Sequence, residues 1–275
     1  MCTKRTETTQ VAIFVGLTMV LSFAVYRLPL PREALPFLLV LLPALFALIL
    51  TGLHDGGAGV YTLLGKLGQW RIRPRWLAFA LFLAVEMRLL MSVVAWLLGL
   101  IPTLQVRPAS PGQLLLLALI LLIAALLEEL GWRGYALPKL LTRCSPLAAS
   151  LVIGVVWGVL HLVLHLPGMM YEGTPPLATL LQLIALSVIL TWFYLQSGGT
   201  IMLTTLFHAA QSFFVIINEG IALEVQMWLM AVIYLAVAAL IVVGAAWKLA
   251  YRDGAKRTTD APLPATVDNR LRRLR

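Results

Sequence analysis

Apolar residues in this chain run in long blocks instead of alternating at every second position, and turn-forming or charged residues interrupt them at intervals of about one membrane thickness. A helix needs about 20 apolar residues to cross a hydrocarbon core of about 30 Å, because lipid offers no partner to an unpaired backbone amide. Eight segments meet that requirement: Val11 to Tyr26, Pro36 to Leu53, Trp76 to Ile101, Leu114 to about Leu141, Pro146 to Leu166, Pro176 to Gln196, Thr200 to Ile217, and Ala222 to Trp247. The breaks carry Pro, Gly or charge, as in LPLPRE after Tyr26, RPASPG after Ile101 and QSGGT before Thr200. The pattern predicts an all-α fold, a polytopic transmembrane helix bundle of about eight spans.

Composition agrees: 61% of the 275 residues are hydrophobic and 12% are charged, so lipid is the solvent for most of the chain. Lys and Arg concentrate on one side of the predicted topology. That side carries Lys4, Arg5, Lys66, Arg71, Arg73, Arg75, Lys139, Arg143 and the basic tail from Lys248, whereas the other carries Arg27, Arg32 and Arg107. The positive-inside rule puts the first set, and with it both termini, in the cytoplasm. An even span count independently puts the termini on one side. The net charge of +9 is accounted for by attraction to anionic headgroups, so no nucleic-acid partner is expected. The tail from Lys248 to Arg275 has few large apolar residues and is expected to be disordered. Val60 to Trp76 mixes apolar residues with Gly and Arg, which suits an interfacial segment or a plain cytoplasmic loop equally. The first span could pass for a signal peptide, but keeping it as an anchor preserves the even count. Cys2 and Cys144, both on the expected cytoplasmic side, indicate no disulfide framework.

Ionisable side chains at bilayer depth cost at least about 2.5 kcal/mol each, so they face the bundle interior and pair with something. Those of the spans are Glu86, Arg88, Glu128, Glu129, Arg133, His161, His165 and His208. Glu129 and Arg133 are four apart, acid first, the favourable order for an ion pair on one helix face. Glu128 points about 100° away around the axis. It has no local cation on its own face and needs another partner or a proton, the environment of a general base or acid. Glu86 and Arg88, two apart, point to different sides of their helix and are expected to be interfacial or bundle contacts. His165 is expected to be a satisfied helix contact near the far interface.

A hairpin turning near Thr142 to Ser145 would put Glu128 and His161 within about 3 Å of the same depth, and His208 about 12 Å in from the cytoplasmic side. These histidines do not suggest zinc: His161 and His165 are separated by Leu, Val and Leu, with no Glu after the first His as HExxH requires. The di-iron Glu-x-x-His motif is also absent. No metal and no cofactor are expected.

The residues resemble the CAAX proteases and bacteriocin-processing enzymes, a family of intramembrane glutamate endopeptidases abbreviated CPBP. Three motifs carry the resemblance. The first, EExxxR, is present as Glu128, Glu129 and Arg133 in EELGWRGYALP. The second, an aromatic four residues before a histidine, is Trp157 and His161 in WGVLH. The third, HxxxN or HxxxD, departs from the pattern, with Ser212 four residues after His208.

The resemblance covers about Gln113 to Ile217 and implies water-dependent cleavage of a peptide bond. Carried over, Glu128 with His161 would activate water, His208 with Ser212 would stabilise the oxyanion, and Glu129 with Arg133 would hold the helix in place. Gln211 could substitute for Ser212 if the helix were rotated. The implied organisation is N-terminal spans over 1–112, a catalytic core over 113–217, a last span over 218–250 and a tail over 251–275. The implied partners are the lipid bilayer and a peptide or membrane-tethered protein substrate. The compact loops and the GWRGYALP style suggest a bacterial plasma membrane. Two other classes compete: a non-catalytic scaffold or immunity-type protein of the same fold, and a transporter using Glu and His as a proton relay. A transporter would bring inverted repeats and broken helices, which the sequence does not clearly contain.

Overall fold

The computed structural model describes residues 2–244, with side chains from Glu7 onward. Among these residues the protein is all helical, with no strand. The helices are α1 (Cys2–Val25), α2 (Leu35–Gly65), α3 (Pro74–Leu97), α4 (Pro111–Glu129), α5 (Leu137–Leu141), α6 (Pro146–His161), α7 (Pro176–Gln196), α8 (Ile201–Phe213) and α9 (Leu223–Gly244). A π-helical turn, Leu130–Ala136, joins α4 to α5. Among the described residues eight segments are long and apolar enough to span a membrane, and the protein is integral to one.

The helix starts are written in proline. Six helices, α2 to α7, carry Pro at the first or second position, where the missing N–H has no intrahelical partner to lose. Ser110 caps α4 through a reciprocal bond pair with Gln113, and Ser145 and Thr200 cap α6 and α8. α2 outruns its expected end at Leu53 because it consists of two helical stretches joined at Gly56. Gly56 adopts φ 66° and ψ −165°, a conformation only glycine takes readily. The segment expected to be interfacial or a loop therefore divides: up to Gly65 it is helical, Lys66–Gly68 forms a 3₁₀ turn, and the chain is irregular to Arg73. The end of the last span at Trp247 and the basic tail lie outside the described residues.

Contacts sort the connections onto two ends. At one end Thr142 Oγ1 donates to Glu7, Lys66 Nζ to the carbonyl of Gly134, and Thr200 Oγ1 to the carbonyl of Gln69. At the other, the Tyr26 hydroxyl donates to the carbonyl of Pro167, and Arg107 binds the Ile216 carbonyl and the Glu219 carboxylate. Consecutive spans thus run in opposite directions.

Close packing at α6 depends on Gly154 and Gly158. A Cβ on Gly154 would stand 2.7 Å from Ile184 Cα, and one on Gly158 would stand 2.6 Å from Leu180 Cδ1, so the small-xxx-small spacing lets α6 approach α7 closely. The deepest large side chains include Trp132, Arg133, Trp157, Phe14 and Phe207. Polar function and apolar core therefore share one interior.

Candidate active site

The site is built from α4, the π turn, α6 and α8. The π turn begins directly after Glu129, and such wide turns are frequent at functional sites. Two features of the local sequence suit it. Pro138 has no N–H to offer the carbonyl of Gly134, and Lys66 Nζ donates to that oxygen instead. Gly131 lies against α2, where an added Cβ would meet the Pro43 Cβ, C and O atoms at 2.5–2.6 Å.

Glu129 and Arg133 are fully buried and joined by a 2.9 Å bond from Arg133 to Glu129 Oε1. Arg133 also donates to Ser187 Oγ at 3.2 Å, and its guanidinium carbon stands 5.1 Å from the centroid of the Trp157 ring. Glu128 faces elsewhere. Its Oε1 accepts a 2.8 Å hydrogen bond from Trp157 Nε1, and its Oε2 lies 3.8 Å from His208 Nε2. His208 Nδ1 is 3.2 Å from Glu129 Oε1, so one imidazole touches both members of the carboxylate pair. With Glu129 ionised against Arg133, that oxygen can only accept, so Nδ1 carries a proton in this contact.

His161 Nδ1 lies 2.9 Å from the Trp157 carbonyl. A carbonyl accepts only, so Nδ1 carries the proton and Nε2 presents a lone pair. Glu128 and His161 are not hydrogen-bonded to each other; both line a cavity of about 340 Å³ that also receives Trp132, Trp157, His208 and Ser212. The space between them suits a water or a substrate atom better than a direct contact would. A second cavity of about 390 Å³ adjoins it, sharing Trp157, His161, His208 and Ser212 among its walls.

Glu128, Glu129, Arg133, His161, His208 and Ser212 thus converge on one region. Gln211 does not stand in for Ser212: its Oε1 accepts from Arg88 Nε at 2.6 Å, while Ser212 lines both cavities. His165 lies apart, bonded to the Thr174 carbonyl and Thr179 Oγ1. Arg88 is a buried bundle contact and lines the second cavity, whereas Glu86 is exposed on the bundle surface. Cys144 is a free thiol. Among the described residues no group of three His, Cys, Asp or Glu side chains is arranged to hold a metal ion.

The motif marks Trp157 only as an aromatic, whereas its indole N–H is what touches Glu128. Arg88 is a bundle contact, as expected, and its partner is Gln211.

Residues 110–214 match the family model of type II CAAX prenyl endopeptidases, Rce1-like. The chain is also 34% identical over 96 residues to CAAX prenyl protease 2 of Methanococcus maripaludis, an alignment covering 32% of this chain and 35% of the relative. The chain therefore spans about a third of the length of the curated relative it matches. Every motif residue from Glu128 to Ser212 falls inside the matched stretch, and through residues 110–214 the chain is similar to the Rce1-like CAAX proteases.

Proposed function

We propose that this protein is an intramembrane endopeptidase that hydrolyses a peptide bond of a peptide or membrane-tethered protein, using water activated by Glu128 and His161. The observation that carries the reading is the single cavity wall on which Glu128, His161 and His208 meet, within a stretch that matches an endopeptidase family.

Amide hydrolysis needs a base for water, a donor for the oxyanion and an acid for the leaving amine. Water held between Glu128 Oε2 and His161 Nε2 adds to the scissile carbonyl and gives its proton to Glu128. The C=O π electrons move onto oxygen, and the oxyanion accepts hydrogen bonds from the Ser212 hydroxyl and from Nε2–H of His208, which acts as the imidazolium with its other N–H on Glu129. Glu128 then delivers the proton to the amide nitrogen as the C–N bond breaks, leaving a carboxylic acid, which gives up its proton, and a new amine, which takes one up. The Trp157 N–H holds Glu128 Oε1, so that Oε2 is the free basic oxygen. Glu129 and Arg133 hold the π turn and, through Nδ1, the His208 ring. No step requires a metal or cofactor. The end carrying Lys66, Lys139 and Arg143 faces the cytoplasm on this reading, following the positive-inside rule.

The test offers a peptide library to the purified protein in liposomes and compares wild type with E128Q and H161A. Cleavage by wild type that falls by about 10²–10⁴-fold in both folded variants supports the reading. No cleavage by wild type, or equal cleavage by all three, overturns it. Full biological activity in E128Q would point instead to a non-catalytic scaffold.

A further inference from the structure

The second cavity has one fixed cation on its walls and no carboxylate. Arg88, 8% exposed, lies in the middle of α3. Its Nε donates to the Gln211 carbonyl at 3.0 Å and to Gln211 Oε1 at 2.6 Å. Among the described residues its NH1 and NH2 have no hydrogen-bond partner, and no carboxylate pairs with it. Its backbone is held in turn, since Asn218 Nδ2 donates to the Arg88 carbonyl at 3.0 Å and to Ser92 Oγ at 2.7 Å. A guanidinium stays charged in proteins, and an uncompensated one at bilayer depth is costly. Besides Gln211 and the shared His161, His208 and Ser212, the polar walls of the cavity are Gln182, Gln226, Thr179, Tyr171 and Tyr234, all neutral hydrogen-bonding groups.

We propose that Arg88 binds a carboxylate of the peptide substrate. The proposal rests on the endopeptidase reading and deepens it. With Nε occupied by Gln211, the NH1 and NH2 edge remains for a ligand, and the planar fork matches a carboxylate. The two cavities share Trp157, His161, His208 and Ser212, so a peptide with its scissile carbonyl beside Glu128 lies next to the compartment of Arg88. Gln211 and His208 are three apart on α8, one helical turn, which couples the placement of the anion to the placement of the carbonyl. The carboxylate can come from the C-terminus of the peptide or from an acidic side chain near it. Arg88 is on this account a specificity-determining residue that touches substrate away from the reacting atoms.

Binding separates this proposal from the cleavage chemistry. The full chain, as E128Q in lipid nanodiscs, is titrated with the library peptides carrying a fluorophore, chosen by binding and not by cleavage, in three forms: free C-terminal acid, C-terminal amide, and amide with Glu as the last residue. The free acid is expected to bind about 10- to 100-fold more tightly than the plain amide, the worth of a hydrogen bond to a charged group. Recovery of affinity by the Glu-terminated amide assigns the pocket to any nearby carboxylate; lack of recovery assigns it to the C-terminus. In E128Q/R88Q the acid and amide should bind alike. Equal binding of acid and amide to the chain that retains Arg88 overturns the proposal, and it does so with the native side chain at Arg88. A preference for acid that persists in folded E128Q/R88Q overturns it too. Loss of cleavage in wild type with the acid preference intact would sink the endopeptidase reading and leave the carboxylate site standing.

Discussion

Trp157 donates its indole N–H to Glu128 across 2.8 Å, tying α6 to the last turn of α4. The bond spans the hairpin and leaves one carboxylate oxygen of Glu128 facing His208. W157F keeps the aromatic bulk and removes the donor. Losing one hydrogen bond to a charged group is worth about 1.5–3 kcal/mol, so kcat is expected to fall about 10- to 100-fold with KM little changed. Steady-state kinetics on the variant in liposomes checks this, and an unaltered kcat would remove Trp157 from the mechanism.

Arg133 and Glu129 form a fully buried pair, and removing one partner leaves the other charge uncompensated. R133M is expected to cost about 3–5 kcal/mol of stability, while E129M/R133M, which buries no lone charge, recovers part of it. Thermal unfolding in detergent reads the difference. An unchanged Tm in R133M would mean that the pair does not hold the π turn.

The eight spans were legible because lipid tolerates only long apolar helices, which leaves a mark that composition alone carries. Glu128, Glu129 and Arg133 stood out for the same reason, as charge where charge is costly. The π turn was not legible, since it depends on Pro138 withholding an N–H from Gly134 and on Lys66 arriving from another helix. Arg88 was legible as a bundle contact but its partner was not, because the contact with Gln211 comes from α3 packing on α8 and joins residues 123 apart in the chain. The expectation that Glu128 and His161 would share a depth located the cavity they both line. It could not foresee that Trp157 and His208, rather than His161, make the direct contacts to Glu128.

Gly131 and Gly134 provide a paired test of the π turn. A Cβ on Gly131 would lie 2.6 Å from the Pro43 backbone, whereas on Gly134 its nearest neighbours are the side-chain ends of Leu130 and Leu63, Cδ1 atoms at 3.4 Å. G131A is expected to destabilise by about 1–3 kcal/mol through overpacking, and G134A much less. Equal unfolding temperatures would contradict the close approach of α2.

Ser212 stands on both cavities with a short side chain. S212N extends the donor toward the expected oxyanion, and one such donor can be worth about 10²–10³ in kcat where none exists. Because serine already donates, a gain of about tenfold or less is expected. A loss of activity with the fold intact would mean that the space beside His208 is needed for substrate and not for an oxyanion donor.

The most direct test of the central claim is cleavage in water enriched in ¹⁸O, followed by mass spectrometry of the newly formed carboxyl terminus, in wild type and E128Q. The account expects one ¹⁸O per product from wild type and almost no product from folded E128Q. Product formed by E128Q at the wild-type rate would contradict it.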